Sequence, residues 1–267
     1  MGKKVRIDLR LVEEGYFDSR ERAKSSIMAG VVLVDQQVID KPGTKVDEDL
    51  PIKIKGNPIP YVSRGGLKLQ KAMEEFQLNL QNKVCMDIGA STGGFTDCML
   101  QKGAKKVYAI DVGYGQLDWK LRQDERVISM ERTNIRYVTP TDITEEPDFA
   151  SVDVSFISLR LVLPVIKNLL CSNGEIIALI KPQFEAGREK VGKKGVVRDI
   201  QVHEEVVKEI YDFAKEHELY THGLSYSPIK GPEGNIEYLI YLKTNSEGSI
   251  ISEDQIKAVV QASHSQL

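Results

Sequence analysis

A glycine-rich turn between an apolar run and an amphipathic segment constrains the fold more than any other stretch. The apolar run is Val84-Cys-Met-Asp-Ile88, the turn is Gly89-Ala-Ser-Thr-Gly-Gly94, and the amphipathic segment continues to Gln101. This order is typical of a buried strand, a tight turn and a helix. Glycines let a ligand approach the backbone where a Cβ would collide with it, and the helix start offers unpaired N–H groups. The stretch therefore predicts a ligand site in an α/β domain.

The glycine spacing matches neither common phosphate-binding turn. A P-loop needs a lysine after its last glycine, and a dinucleotide fingerprint needs G-x-G-x-x-G, whereas this turn reads Gly89-x-x-x-Gly93-Gly94. The next strand-like run ends in Asp111, at the distance where an acid binds ribose hydroxyls in nucleotide-binding units. These features suit a nucleoside without phosphates, and S-adenosylmethionine (SAM) is the obvious candidate. The alternative is a turn that only packs a helix onto a sheet.

Strand-like and helix-like segments alternate from residue 84 onward. The expected strands are 84–89, 106–111, 127–131, 149–154, 175–181, 220–228 and 236–243. The expected helices are 93–102, 116–123, 141–146, 159–170 and 201–217. This pattern predicts a Rossmann-like α/β domain, with a mostly parallel seven-stranded sheet and helices on both faces. Ligands bind such folds outside the carboxyl ends of the strands.

Polar residues stand at those strand ends. Asp153 follows the fourth predicted strand, Lys181 ends the wholly apolar fifth, and Glu237 opens the last. A desolvated ammonium is costly unless it is paired, and the two acids could pair with it. A structural ion-pair cluster is the alternative. The expected cofactor contacts lie in the turn and at strand ends: Asp87, Gly89, Ala90, Ser91, Thr92, Gly93, Gly94, Phe95, Asp111, Asn134 and Asp153.

The N-terminal part of the chain is predicted to be a separate unit. Two short helical patterns and a hairpin pattern within residues 1–56 indicate a small α+β domain. A basic linker rich in proline and glycine is predicted at 57–66, and the catalytic domain at 67–267. Lys68 lies near the start of a predicted helix, where a positive charge is unfavourable against the helix dipole. We therefore expect Lys68 to have another task.

Composition excludes several classes of protein. A net charge of −3 argues against a uniformly basic nucleic-acid binder. Three widely spaced cysteines indicate neither a disulfide framework nor a zinc site. The four histidines have no ligand spacing, so we interpret them as surface or incidental residues and expect no metal. No apolar run reaches the roughly 18 residues of a membrane span. These features predict a cytoplasmic protein without a membrane partner.

The N-terminal unit resembles the S4 RNA-binding domain over its whole length. The resemblance rests on Arg6-Ile-Asp-Leu9, Ser19-Arg20, Ala23, Ala29-Gly-Val31 and Lys41-Pro-Gly43. It implies that the second helix and its adjoining loop contact structured RNA. The implied RNA-binding residues are Arg6, Arg20, Arg22 and Lys24. Two other basic stretches, the linker region and the glycine-containing loop within 181–198, add Arg64, Arg188, Lys193 and Lys194 as expected RNA contacts.

Nearly the whole chain resembles the hemolysin A (TlyA) family of ribosomal RNA methyltransferases, whose catalytic domain is FtsJ-like. The motifs that carry this resemblance are Tyr61-Val-Ser-Arg-Gly-Gly66, Asp87-Ile-Gly-Ala-Ser-Thr-Gly-Gly-Phe95, Asp153-Val-Ser-Phe-Ile-Ser158 and Ile180-Lys-Pro-Gln-Phe-Glu-Ala-Gly187. In FtsJ-like enzymes a Lys-Asp-Lys-Glu tetrad serves ribose 2′-O-methylation. The matching positions are Lys68, Asp153, Lys181 and Glu237.

The resemblance implies SAM-dependent methylation of a ribose 2′-hydroxyl, of cytidine, in ribosomal RNA, with ribosomal RNA or ribosomal subunits as partners. One alternative is a ribosome-assembly protein that binds RNA without catalysis, and another is a hemolysin-like activity. A base N-methyltransferase would need Asp/Asn-Pro-Pro-aromatic where this chain has Asp153-Val-Ser-Phe156. A cytosine C5-methyltransferase would need a cysteine nucleophile there.

Overall fold

A computed structural model of the chain describes residues 4–17, 19–55, 60–245 and 251–267. The chain divides into two compact units, Met1–Gly66 and Leu67–Leu267. The predicted boundary between residues 56 and 57, and the start of the predicted linker, lie outside the described residues.

The first unit combines two short helices with small antiparallel strands. Its elements are β1 (Lys4–Arg6), α1 (Ile7–Glu13), α2 (Arg20–Met28), β2 (Val32–Val34), β3 (Gln37–Val38), β4 (Lys45–Asp47) and β5 (Ile52–Ile54). Ser19 caps α2 by accepting a hydrogen bond from the Arg22 backbone N–H. Apolar residues of both helices, among them Ile7, Leu11 and Ile27, are fully buried. This unit has the predicted α+β composition.

The second unit contains the predicted seven-stranded, mostly parallel sheet. Its strands are β6 (Val84–Ile88), β7 (Lys106–Ile110), β8 (Val127–Met130), β9 (Phe149–Val152), β10 (Glu175–Ile180), β11 (Tyr220–Tyr226) and β12 (Tyr238–Lys243). They are arranged in the order β11-β12-β10-β9-β6-β7-β8, and only β12 runs antiparallel to its neighbours. The chain leaves β6 toward β7 and β8, and later returns to the other side of β6 with β9. The strand order therefore switches at β6 and β9, where such sheets bind ligands.

The helices differ from the sequence prediction in three places. The α-helices are α3 (Gly65–Glu75), α4 (Gly94–Gln101), α5 (Trp119–Arg122), α6 (Leu163–Leu169), α7 (Pro182–Glu185), α8 (Ile200–Glu216) and α9 (Glu253–Gln266). The helix predicted at 141–146 is wrong, because only a 3₁₀ turn forms there, at Pro140–Asp142. The helix predicted at 159–170 is split into a 3₁₀ turn and α6, since Pro164 favours a helix start. The helix predicted at 116–123 is shortened to α5.

Of the four histidines interpreted as surface or incidental residues, His203 is not at the surface. This residue of α8 is 1% exposed and lies within the core of the second unit. One ring nitrogen lies 2.7 Å from the Tyr238 hydroxyl and the other 3.0 Å from the Val197 carbonyl oxygen. Burial lowers the pKa of the imidazole, so its neutral form is favoured.

No helix among the described residues is both long and apolar enough to cross a membrane.

Candidate active site

The glycine turn after β6 is shaped by close backbone contacts. Gly89 has φ +86°, and a Cβ at this position would lie 2.5 Å from the carbonyl oxygen of Asp153. Gly93 has φ +96°, and a Cβ there would collide with the side chains of Leu121 and Leu117. Both positions therefore need glycine for conformation and for space. The turn brings the end of β6 directly against the end of β9.

Asp87 is buried beneath the turn, and its side chain contacts the start of α4. Its carboxylate accepts hydrogen bonds from the Thr96 backbone N–H at 2.8 Å and from the Thr96 hydroxyl at 2.6 Å. The Ser151 hydroxyl donates a weaker hydrogen bond at 3.3 Å. Burial raises the pKa of Asp87 to about 7, although these hydrogen bonds oppose the shift. Asp87 thus fixes the start of α4 relative to the sheet.

A cavity of about 740 Å³ opens above the carboxyl ends of β6, β7 and β9. Five of the predicted cofactor residues line it: Gly89, Ser91, Asp111, Asn134 and Asp153. The other six do not line it: Asp87, Ala90, Thr92, Gly93, Gly94 and Phe95. The lining also includes residues that the sequence analysis did not single out, among them Val112, Gln116, Ile135, Ser155, Phe156 and Phe184.

Asp111 is held in the cavity wall by two backbone amides. Its carboxylate accepts hydrogen bonds from the N–H groups of Ser91 and Gly113, each at 2.7 Å. Asn134 accepts a hydrogen bond from the Arg136 N–H through its side-chain oxygen, at 3.1 Å. Its amide group keeps two donors. An oriented acid and an oriented amide next to an apolar wall suit a nucleoside whose ribose and base both need recognition.

Four charged side chains meet beside the cavity, where the sequence predicted a cluster. The Lys68 ammonium lies 3.1 Å from Asp153 Oδ2 and 2.7 Å from Glu237 Oε2. The Lys181 ammonium lies 2.5 Å from Asp153 Oδ1 and 3.3 Å from the Ser155 hydroxyl. Asp153 therefore bridges the two lysines, and it is the one member of the four that lines the cavity itself.

The two lysines have different surroundings. Burial lowers the pKa of Lys68, but Asp153 and Glu237 outweigh it and raise the pKa. Burial likewise raises the pKa of Asp153, and the two ammonium groups outweigh it and lower that pKa. Glu237 is 0% exposed, and its second oxygen has no hydrogen-bond partner among the described residues. Lys68 therefore serves as a shared counter-ion for both acids, whereas Lys181 has one acid partner.

Phe156 is an exposed aromatic residue at the mouth of this site. Its side chain is 91% exposed, and its backbone has φ +63°, which is rare for a residue with a large side chain. The ring of Phe184 lies 5.0 Å from the Phe156 ring, between centroids. The sequence analysis quoted both residues within motifs and assigned neither a role. An aromatic residue three positions after a strand-end acid is the signal that could have drawn attention to Phe156.

The sequence matches two family models that together cover most of the chain. Residues 61–244 match the model of FtsJ-like methyltransferases, and residues 5–52 match the S4 domain. The chain belongs to the FtsJ-like methyltransferase family. The members of this family use SAM, and the glycine cradle, the oriented Asp111 and the cavity all fit that cofactor. This confirms the predicted enzyme class and cofactor.

Relatives match this FtsJ-like methyltransferase over nearly its whole length. YqxC of Bacillus subtilis, provisionally described as an rRNA methyltransferase, is 56% identical, covering 99% of this chain and 96% of its own. The 16S/23S rRNA (cytidine-2′-O)-methyltransferase TlyA of Mycobacterium tuberculosis is 40% identical, with 98% of both chains covered. A solved structure from Streptococcus thermophilus, provisionally described as a hemolysin, is 48% identical with a TM-score of 0.79, covering 100% of this chain and 98% of its own. The predicted TlyA resemblance is confirmed.

In the S4 domain of this methyltransferase, two of the predicted RNA-binding arginines, Arg6 and Arg20, form ion pairs with one buried acid, Asp8. Asp8 is 0% exposed, and it accepts hydrogen bonds from Arg6 at 3.0 Å and from Arg20 at 2.9 Å. The hydrogen bond from Arg6 is the main cause that lowers the pKa of Asp8, to about 2. Both guanidinium groups remain partly exposed and oriented. Arg22 and Lys24 lie on the same helix, α2, and Arg64 lies just before α3.

The predicted basic loop of the FtsJ-like domain is anchored at one end. Its 3₁₀ turns, Arg188–Lys190 and Lys193–Gly195, carry all three predicted RNA-binding residues of this loop. Val197 is 3% exposed, its N–H donates to Asn235 and its carbonyl oxygen contacts His203. The basic side chains therefore project from a loop that is tied to the edge next to Glu237.

Among the described residues, no group of side chains forms a metal site.

Proposed function

We propose that this protein transfers the methyl group of SAM to the ribose 2′-hydroxyl of a cytidine in ribosomal RNA, and that it acts on ribosomal subunits in the cytoplasm. The observation that carries the proposal is a chain of ion pairs at the edge of the cofactor cavity. It runs from Glu237 through Lys68 and Asp153 to Lys181. A ribose hydroxyl is a weak nucleophile, and ammonium groups beside the cavity support the proposal because they can stabilise the charge that its oxygen gains. The activity named for the M. tuberculosis relative supports the choice of substrate.

The four side chains divide the chemical work between them. Lys181 first gives up its own proton to solvent, and its amine then accepts the proton of the 2′-hydroxyl while the oxygen forms its bond to the methyl carbon. SAM, when bound, supplies a methyl group on positively charged sulfur, which keeps the electron pair and leaves as a neutral thioether. Asp153 orients both lysines, and Lys68 holds Asp153 and Glu237 in place. Because the leaving group needs no acid, alignment of the reacting atoms supplies much of the rate.

Phe156 supports the choice of an unpaired nucleotide as the substrate. Sequence-specific proteins often stack splayed RNA bases on aromatic side chains. Phe156 offers such a surface next to Asp153, and most of its ring area is exposed to solvent. A base stacked on this ring would bring its ribose to the Lys181 end of the site. The S4 domain, with Arg6 and Arg20 oriented on Asp8, would bind the surrounding structured RNA.

Incubation of the protein and labelled SAM with ribosomal subunits that lack the modification should produce 2′-O-methylcytidine. Nuclease digestion and mass spectrometry identify the labelled nucleoside, and resistance of one phosphodiester bond to alkali locates it. Label on a base instead of a ribose would contradict the proposed reaction. If the protein neither binds SAM nor transfers its methyl group, this result would support the alternative of an RNA-binding assembly protein.

Charge reversal in the basic loop should weaken RNA binding in a salt-dependent manner. The double variant Lys193→Glu/Lys194→Glu removes two proposed phosphate contacts, so the slope of log K against log salt should fall by about 1 to 2. Binding of the variants to ribosomal RNA fragments, titrated across salt concentrations, measures this slope. The matched control is Lys215→Glu/Lys257→Glu, which changes the net charge equally at exposed helix positions. Equal slopes for both double variants would remove the loop from the RNA interface.

A further inference from the structure

A buried glutamate lies directly behind the reactive residues. Glu185 ends α7, the short helix that begins after Lys181, and it is only 8% exposed. Arg160, whose charge acts on Glu185, is already paired with Glu209. In the described part of the chain, the Glu185 carboxylate makes no ion pair of its own. A buried charge held without a cation is costly, so its retention needs a reason.

The Glu185 carboxylate holds the segment that follows β9. One oxygen accepts a hydrogen bond from the Ser158 hydroxyl at 2.6 Å, and the other accepts one from the Leu159 backbone N–H at 2.8 Å. The residues between Asp153 and Ser158 form one wall of the cofactor cavity. Glu185 therefore connects the end of β10, which carries Lys181, to the end of β9, which carries Asp153.

The part of this wall beyond Ser155 has few other restraints. No helix or strand includes residues 153–158, and within them Phe156 has the strained φ of +63°. The contact between the Phe156 and Phe184 rings joins the same two strand ends, but one of those rings is largely exposed. Hydrogen bonds to an ionised acceptor are about twice as strong as neutral ones. Lys68 and Lys181 hold the wall at Asp153 and Ser155, and the two bonds to Glu185 are the main polar restraint on its other end, from Phe156 to Leu159.

We propose that Glu185 is a positioning residue that fixes segment 153–159 against α7. Its carboxylate keeps Asp153 facing Lys181, and it keeps the cavity wall in the shape that binds SAM. The effect on catalytic rate rests on the proposed methyl transfer. The effect on the cavity does not depend on which nucleotide is methylated.

The charge of Glu185 should favour SAM binding and lower the stability of the fold. Burial raises the pKa of its carboxyl, and the hydrogen bonds from Ser158 and Leu159 only partly oppose the shift. A raised pKa means that the folded state favours the protonated form, so ionisation of this carboxyl lowers stability. A neutral glutamine relieves that cost but cannot accept both hydrogen bonds. A purely structural residue would show the opposite pattern, with stability lost and function retained.

The variant Glu185→Gln tests this inference against the matched exposed variant Glu209→Gln. For Glu185→Gln, SAM binding by calorimetry should weaken about tenfold, and amide exchange measured by mass spectrometry should be faster across 154–159. Its melting temperature should be equal to or above that of the wild type. Glu209→Gln should match the wild type in SAM binding and in exchange of this segment.

Wild-type SAM affinity and wild-type exchange in Glu185→Gln would overturn the inference, whatever the methylation result. If Glu185→Gln does not fold, Glu185→Asp replaces it, because the shorter side chain keeps the charge and cannot reach both donors. Wild-type SAM binding by that variant would also overturn the inference. Failure of the wild type to methylate ribose would instead refute the proposed function, and the difference in SAM binding between variants would remain.

Discussion

Replacement of Lys181 by methionine should abolish methyl transfer and leave the protein folded with its SAM affinity intact. Asp153 keeps Lys68 as a partner at 3.1 Å, so the substitution strands no buried acid. The reaction loses the group that accepts the hydroxyl proton, and we expect kcat to fall by about 10²- to 10⁴-fold. Single-turnover methylation of ribosomal subunits measures the rate, and calorimetry measures SAM binding.

Two further lysine variants separate proton transfer from charge and from stability. Lys181→Arg keeps a positive charge beside Asp153 but cannot release a proton, so its activity should stay as low as that of Lys181→Met. Lys68→Met leaves Glu237 buried without its cation, so it should cost about 3 to 5 kcal/mol of stability. The surface variant Lys208→Met, in contrast, should match the wild type in every assay. Full activity in Lys181→Met would remove this residue from the mechanism.

The sheet could be predicted from the sequence because its strands are nearly continuous apolar runs. The run 175–181, for example, matches β10 at Glu175–Ile180 to within one residue, as buried parallel strands allow. Short helices were less predictable. The segment near residue 141 carries a proline and a capping acid that favour one tight turn, Pro140–Asp142, instead of a helix. Helical periodicity cannot be detected over a single turn.

Asp153 and Lys181 could be anticipated because β9 and β10 are parallel and end at one edge of the sheet. Glu237 precedes the antiparallel β12 and so lies at the same edge, and Lys68 reaches it from α3. Lys68, Asp153, Lys181 and Glu237 are distant in sequence, and they are within ion-pair reach in the fold. Local pattern could not show which way a strand-end acid faces. Asp87 and Asp111 both end apolar runs, yet Asp111 lines the cavity and Asp87 binds the start of α4.

Contacts between distant segments explain what the sequence analysis missed. Glu185 reads as one acid in a basic loop, and its burial depends on Ser158 and Leu159, which lie in another strand connection. His203 lies on an amphipathic helix, and its partners, Val197 and Tyr238, become visible only in the folded chain. The burial of a polar side chain is set by the tertiary partners that satisfy it.

Replacement of Gly89 by alanine should greatly weaken SAM binding. The new Cβ would lie 2.5 Å from the carbonyl oxygen of Asp153, and this atom belongs to the backbone and cannot rotate away. The left-handed φ of +86° adds about 1–2 kcal/mol for a residue with a Cβ, and overpacking adds about 1–3 kcal/mol. Because the strand ends must separate to remove the overlap, SAM affinity should fall by at least about 100-fold.

The variant Gly115→Ala isolates the conformational part of this effect. Gly115 has φ +69°, and a Cβ there would meet no atom within 4 Å. Alanine at this position should therefore lower stability by about 1–2 kcal/mol and leave SAM binding within about threefold of wild type. Calorimetry and thermal melting of both variants measure the two effects.

Equal SAM affinity in the two variants would show that the close approach of Gly89 to Asp153 is not what shapes the cavity. A loss confined to Gly89→Ala would show that cofactor binding depends on contact between the ends of β6 and β9. Methyl transfer would depend on the same contact, because Asp153 also orients Lys181.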